Sequence, residues 1–284
     1  MSMLTFQHDC HYFKTNDNVT LHYFDKGQGI PLVLLHAWSL SSMLYQYQME
    51  TLSQKYRVIA LDMRGHGLSH DVDYGFRVHR LAKDVHELLD CLSLKDVIML
   101  GHALGSAVIL AYFQLFGSEL LKKIILISTS PVILSNPIWS REDIKHFGPL
   151  IDIDSLNQLL NNLEYFGGQF LKSIFKNNML SQQVSQEILS IVLDESKLLN
   201  IEQVAPLVDD YFHQDWRDEI ARITIPTLII AGRGSPFSLS SQEWVHQQIK
   251  TSQLMIFEEN EGGKHFPFLE NPKKFNLAID SFIH

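Results

Sequence analysis

The feature that most constrains this chain is an alternation of two apolar patterns that breaks off once. Leu32–Leu35, Tyr56–Leu61, Val97–Leu100 and Ile124–Ile127 are short, nearly continuous apolar runs, as expected of strands covered on both faces. Between them lie segments of helical character. Ser42–Lys55 follows the capping candidates Ser41 and Ser42. Val78, Leu81, Val85, Leu88, Leu89 and Leu92 recur every three or four positions, and Ala103–Phe116 is apolar throughout. The spacing predicts an amphipathic helix for the middle segment and a buried helix for the last. Strand and helix in strict alternation imply crossover connections, hence a parallel sheet with helices on both faces. Ahead of this, Leu4–Phe13 and Val19–Phe24 read as a hairpin split by Asn16, Asp17 and Asn18.

The alternation stops at Pro131. From there to about Gln214 no strand is predicted. Leu156, Leu159, Leu160 and Leu163, then Ile188, Ile191 and Val192, predict several short helices. Alternation resumes with a strand over Pro226–Ile230, a helix over Ser240–Ile249, a strand over Leu254–Phe257 and a closing helix over Pro272–Ile283. The expected organisation is a core of residues 1–130 and 215–284 with a helical lid, residues 131–214, inserted in it. At 284 residues the chain is near the ceiling for one domain, and 45% hydrophobic with 19% charged residues excludes a disordered polymer. Its 23 basic and 32 acidic residues, net −9, argue against nucleic acid or an anionic membrane as partner. The Ala107–Phe116 run is too short to span a bilayer. Residues 1–8 lack the basic and apolar regions of a signal peptide. Two cysteines, Cys10 and Cys91, are too few for a disulfide framework. The expected location is therefore the cytoplasm.

Four segments carry the chemistry, in this order: Leu34-Leu35-His36-Ala37-Trp38, Asp62-Met63-Arg64-Gly65-His66-Gly67-Leu68-Ser69, Gly101-His102-Ala103-Leu104-Gly105 and Gly262-Gly263-Lys264-His265-Phe266-Pro267-Phe268. The third joins a predicted strand to a predicted helix. A turn that sharp needs small flanking residues, which Gly101 and Gly105 supply. It aims position 103 at the mouth of the sheet, beside a helix N-terminus that offers unpaired N–H groups and partial positive charge. In this order the segments resemble the α/β-hydrolase superfamily over nearly the whole chain. The resemblance implies an eight-stranded, mostly parallel sheet flanked by helices, with an inserted helical lid. It also implies a nucleophile at position 103, an acid at position 235, a catalytic histidine at 265, and an oxyanion hole from the N–H groups of Trp38 and Leu104, with Ala37 and His102 beside them.

The chain departs from that pattern twice. Position 103 is Ala, which cannot attack a carbonyl, and position 235 is Ser. The alternative acid position after the sixth strand falls in Ile127–Pro131, without a carboxylate, and Glu258, Glu259 and Glu261 stand at no family position. His265 remains of the triad, with an ordinary pKa near about 6.5 that suits a general base. The leading expectation is non-hydrolytic chemistry on an apolar small molecule: cyclisation, C–C cleavage, elimination or cofactor-free oxygenation, with His265 as base facing an oxyanion hole. An esterase-like serine hydrolase carrying Ala in place of a serine at position 103 is the second reading. A ligand-binding protein without turnover is the third. His36 and His102 are expected to be structural. His66 and His70 have a metal-ligand spacing but sit in a glycine-containing loop, so no metal is expected, and no cofactor. Phe147, Tyr165, Phe166, Phe170, Phe175, Tyr211 and Phe212 are candidates for lid packing or pocket lining. Gly167-Gly168 is a hinge or a helix end.

Overall fold

The structure, a computed structural model, describes residues 9–182, 184–195 and 201–284. Its strands form where apolar runs can be covered from both sides. β1 (Cys10–Lys14) and β2 (Thr20–Lys26) make the N-terminal antiparallel hairpin; Leu4–His8 of the expected first strand lie outside the described residues. β3 (Pro31–Leu35), β4 (Arg57–Leu61), β5 (Val97–His102), β6 (Leu121–Ile127), β7 (Thr227–Gly232) and β8 (Ser252–Phe257) run parallel to one another. The order is β1-β2-β4-β3-β5-β6-β7-β8, eight strands with an antiparallel hairpin at one edge. β5 and β7 are buried along their whole length, which explains why neither shows polar alternation.

The helices follow from the same logic. A 3-10 turn over Ser42–Tyr45, capped by the Ser41 side chain, leads into α1 (Gln46–Leu52), so the expected helix ends three residues early. α2 (Val78–Cys91) buries Val78, Leu81, Val85, Leu88 and Leu89 on one face. α3 (Leu104–Phe116) is buried from Leu104 through Phe113, because it packs on β5 and α2 together.

Between β6 and β7 the chain forms α4 (Arg141–Phe147), α5 (Ile153–Ile174), a π-turn (Phe175–Met179), α6 (Gln186–Glu195), α7 (Ile201–Phe212) and the short α8 (Arg217–Ile220). The insertion is helical as expected, but its helices are not all short. α5 runs for 22 residues, broken at Gly167, whose φ of 53° and ψ of −132° are non-helical. The glycine pair thus marks the kink at which one helical piece ends and the next begins. Two isolated β-bridges, Val132 to Asp215 and Leu134 to Ile151, close the base of the insertion. α9 (Leu239–Gln248), α10 (Pro267–Glu270) and α11 (Pro272–Ile283) complete the core. Among the described residues no helix is long and apolar enough to cross a membrane.

Candidate active site

The turn after β5 is a strained elbow. Ala103 has φ 49° and ψ −105°, a conformation that costs a non-glycine residue about 1–3 kcal/mol. Its backbone is fixed by N–H donation to the Ile127 carbonyl at 2.9 Å and by acceptance from the Ala107 N–H at 3.1 Å. The flanking glycines are required by contact. A Cβ on Gly101 would lie 2.3 Å from the Gly105 carbonyl carbon, and one on Gly105 would lie 2.2 Å from the Leu35 carbonyl oxygen. The start of α3 therefore rests on the end of β3 with no room for a side chain. Leu104 opens α3, so its N–H has no partner within the helix.

The loop after β3 is held from below by a buried polar cluster. His36 donates from Nδ1 to the Ala37 carbonyl at 2.7 Å and accepts the Met63 N–H at Nε2. His66 accepts the Ser39 N–H at 3.2 Å and donates to the Arg64 carbonyl. Asp62 accepts the Ser42 and Leu68 N–H groups and pairs with His22. Both ring nitrogens of His66 are committed, and among the described residues there is no cluster of three or more metal-ligating side chains.

Elbow, β3 loop and insertion enclose one cavity of about 450 Å³. The core contributes Ala37, Trp38, Leu40, Ala103, Leu104, Phe237 and His265. The insertion contributes Leu159, Phe170, Phe175, Asn177, Asn178, Met179, Tyr211 and Phe212. Such a lining suits a mainly apolar ligand with few polar groups. The structure thus brings Ala37, Trp38, Ala103, Leu104 and His265 together. Of the aromatic candidates, Phe170, Phe175, Tyr211 and Phe212 line the cavity. Tyr165 and Phe166 are 77% and 61% exposed, and Phe147 packs on Trp139 and Trp244. Asn177, Asn178, Met179 and Phe237 carried no sequence signal, since only the path of the insertion and the bend after β7 place them here.

His265 differs from the expected base. Its Nδ1 is buried and has no hydrogen-bond partner. The ring stacks on Phe237 at 5.5 Å with 7° between planes, and lies 4.4 Å from the ring of His102 and 5.0 Å from that of Phe266. Burial with no compensating carboxylate pulls its pKa down to about 3. The imidazole is therefore neutral near pH 7, and the expectation of an unperturbed base is corrected. Ser235 is corrected as well. Its hydroxyl oxygen accepts the Phe237 N–H at 3.3 Å, capping the local turn, and makes no bond to His265. Of the nearby carboxylates, Glu258 is held by Arg233 and Glu261 by Lys274. His102 is buried, does not line the cavity, and donates from Nε2 to the His265 carbonyl at 2.9 Å. Burial, and then the neighbouring His265, also holds its pKa well below the ordinary value.

Residues 30–272 match the family model described as alpha/beta hydrolase fold. The AB hydrolase superfamily protein YisY of Bacillus subtilis is 31% identical over 281 residues, covering 96% of this chain and 98% of its own. The non-heme chloroperoxidase CPO-A1 of Kitasatospora aureofaciens is 28% identical over 277 residues, covering 95% and 98%. Among solved structures, a bromoperoxidase from Bacillus anthracis superposes with a TM-score of 0.88 at 24% identity, over 96% of this chain and 99% of that one.

Proposed function

This chain belongs to the α/β-hydrolase fold family, a family of enzymes, and from that premise we propose that it acts on an apolar, enolisable small molecule without forming a covalent intermediate. The observation that carries the reading is that Leu104, the first residue of α3, and His265 line one apolar cavity together with Ala103 of the elbow. Removal of a proton from carbon beside a carbonyl places an electron pair on the carbonyl oxygen. The first-turn amide of α3 and the positive end of that helix stabilise that oxyanion. The proton moves to the imidazole of His265. Without an anion beside it, that buried imidazole is a weak acceptor. A bound enolate supplies the negative charge that burial otherwise denies it, and the two charges form together as an ion pair. Such a pair favours substrates whose enolate is already stabilised, such as ketones with a benzylic α-carbon. The helical insertion acts as the lid that keeps water from this pair.

A serine hydrolase is a weaker reading. A serine at 103 would still face a histidine whose Nδ1 meets no carboxylate, and that carboxylate is what stabilises the imidazolium in a triad. Ligand binding without turnover is favoured by one observation, the low proton affinity of His265.

The test is hydrogen exchange. 2-Tetralone incubated with the protein in D2O, followed by proton NMR, is expected to lose its α-proton signal faster than the buffer background. His265→Ala is expected to return the rate to background. Binding of 2-tetralone without exchange would favour the binding reading, and a covalent adduct with a fluorophosphonate would reinstate a seryl mechanism.

A further inference from the structure

The Ser235 hydroxyl bonds within its own turn and Nδ1 of His265 has no partner, so the ring is held by packing on Phe237 and by whatever anchors its backbone. The backbone of residue 265 is gripped on both sides. Its carbonyl accepts from Nε2 of His102, one residue before the elbow. Its N–H donates to the carbonyl of Met179 at 3.1 Å. Met179 closes the π-turn of the insertion, a geometry rare in helices and frequent at functional sites. The turn is drawn onto the same loop twice more. Phe175, 3% exposed, packs on Phe266 with ring centroids 6.1 Å apart. The Ser181 N–H donates to Oε1 of the partly buried Glu270 at 3.3 Å.

We propose that His265 is positioned through its backbone, by His102 from the elbow and by the Met179 carbonyl from the insertion, with Glu270 holding the π-turn in place. His102, Met179 and Glu270 are positioning residues; none of them is asked to exchange a proton with substrate. The carboxylate of a triad orients the histidine at its ring, whereas here orientation enters through the peptide groups. The helical insertion then does more than cover the cavity: it supplies one of the two contacts that set the histidine. This rests on the reading of His265 as proton acceptor, but the geometry can be tested without activity.

The experiment uses the full chain, 15N-labelled at histidine, and reads the His265 ring in long-range proton–nitrogen spectra beside 2-tetralone exchange. Glu270→Leu and Ser181→Pro each delete the bond between Glu270 and the turn. Proline suits position 181 because Leu180 before it is extended. Both variants, and His102→Leu, are expected to shift or split the His265 ring signals. They should lower the exchange kcat between about 10- and 100-fold with KM changed less than about twofold, the pattern of a misplaced reacting group. Glu270→Gln and His102→Gln keep an acceptor and a donor respectively, and should restore both readouts. Ser181→Pro keeps the test open if Glu270→Leu does not fold. Unchanged ring signals in the folded leucine and proline variants, or glutamine variants as impaired as the leucine ones, would overturn the proposal. If the parent protein exchanges no 2-tetralone, the functional reading fails and the ring spectra alone decide this one by the same criterion.

Discussion

The turn after β5 and the turn after β7 open on the same cavity, and each lacks the side chain that the family pattern places there. They differ in what is left. The elbow keeps its full backbone geometry, including a strained φ at Ala103 that serves no nucleophile. The turn after β7 has closed over: the Ser235 hydroxyl caps its own turn, and Phe237 stacks on the histidine. The reason lies in what each turn supports. The elbow is the joint between β5 and α3 and sits within van der Waals reach of the Leu35 backbone, so the fold itself requires its shape. An acid position is a side-chain slot on a surface bend, and other residues can fill it without moving a strand.

The sharpest way to break this comparison is to add one methyl group to the joint. Gly105→Ala places a Cβ against the Leu35 carbonyl and is expected to cost about 3 kcal/mol or more in urea unfolding. A loss under about 1 kcal/mol would show that the elbow yields and that its shape is not imposed by packing.

The other turn should respond to charge. Ser235→Asp is expected to raise the midpoint of His265 from about 3 to between about 4 and 6, followed by NMR titration of the ring. A ring that titrates unchanged would mean the slot no longer lies beside Nδ1. With Ala103→Ser added, slow hydrolysis of 4-nitrophenyl acetate should appear; Ala103→Ser alone should show none.

The histidine itself should leave a signature in stability. A histidine with a depressed folded-state pKa is neutral when folded, while its unfolded counterpart takes a proton below about pH 6.5. Stability is then complete above about 6.5 and falls with acid through the window down to about 3. The full slope is about 1.4 kcal/mol per pH unit for each such group. His36, His66, His102 and His265 all have lowered values, so the protein should be sensitive to mild acid. His265→Phe is expected to remove one such contribution, measured as the difference between urea unfolding at pH 7 and pH 5. An identical slope in the variant would show that His265 is protonated or exposed in solution.

The smallest effect is expected at the strained position. Ala103→Gly relieves the positive φ and raises the entropy of the unfolded chain, two opposed terms that should leave a gain of about 1 kcal/mol. A clear loss would place the strain elsewhere.

Much of the fold was legible before the structure. The strands β3, β5 and β7 were legible as short continuous apolar runs, α2 by its 3.6-residue period, and α3 as a longer run that is apolar throughout. The elbow was equally plain, because Gly101 and Gly105 bracket Ala103 and identify the turn. Local chemistry and local spacing suffice for such features. The break in α5 was marked in the sequence by Gly167-Gly168, whereas the way its two helical pieces continue past the kink was not.

Two matters rested on tertiary structure alone. The proton affinity of His265 depends on how deeply the ring is buried and on which charges fail to reach it, and neither is a property of the sequence around it. The cavity depends on a π-turn and a kinked helix returning across the sheet, so that Met179, distant along the chain, meets the amide of residue 265. Sequence determined which residues could carry chemistry because side-chain identity and period are local. Only the packed structure decided their charge and orientation, because desolvation and long-range hydrogen bonding come into being when distant segments exclude water together.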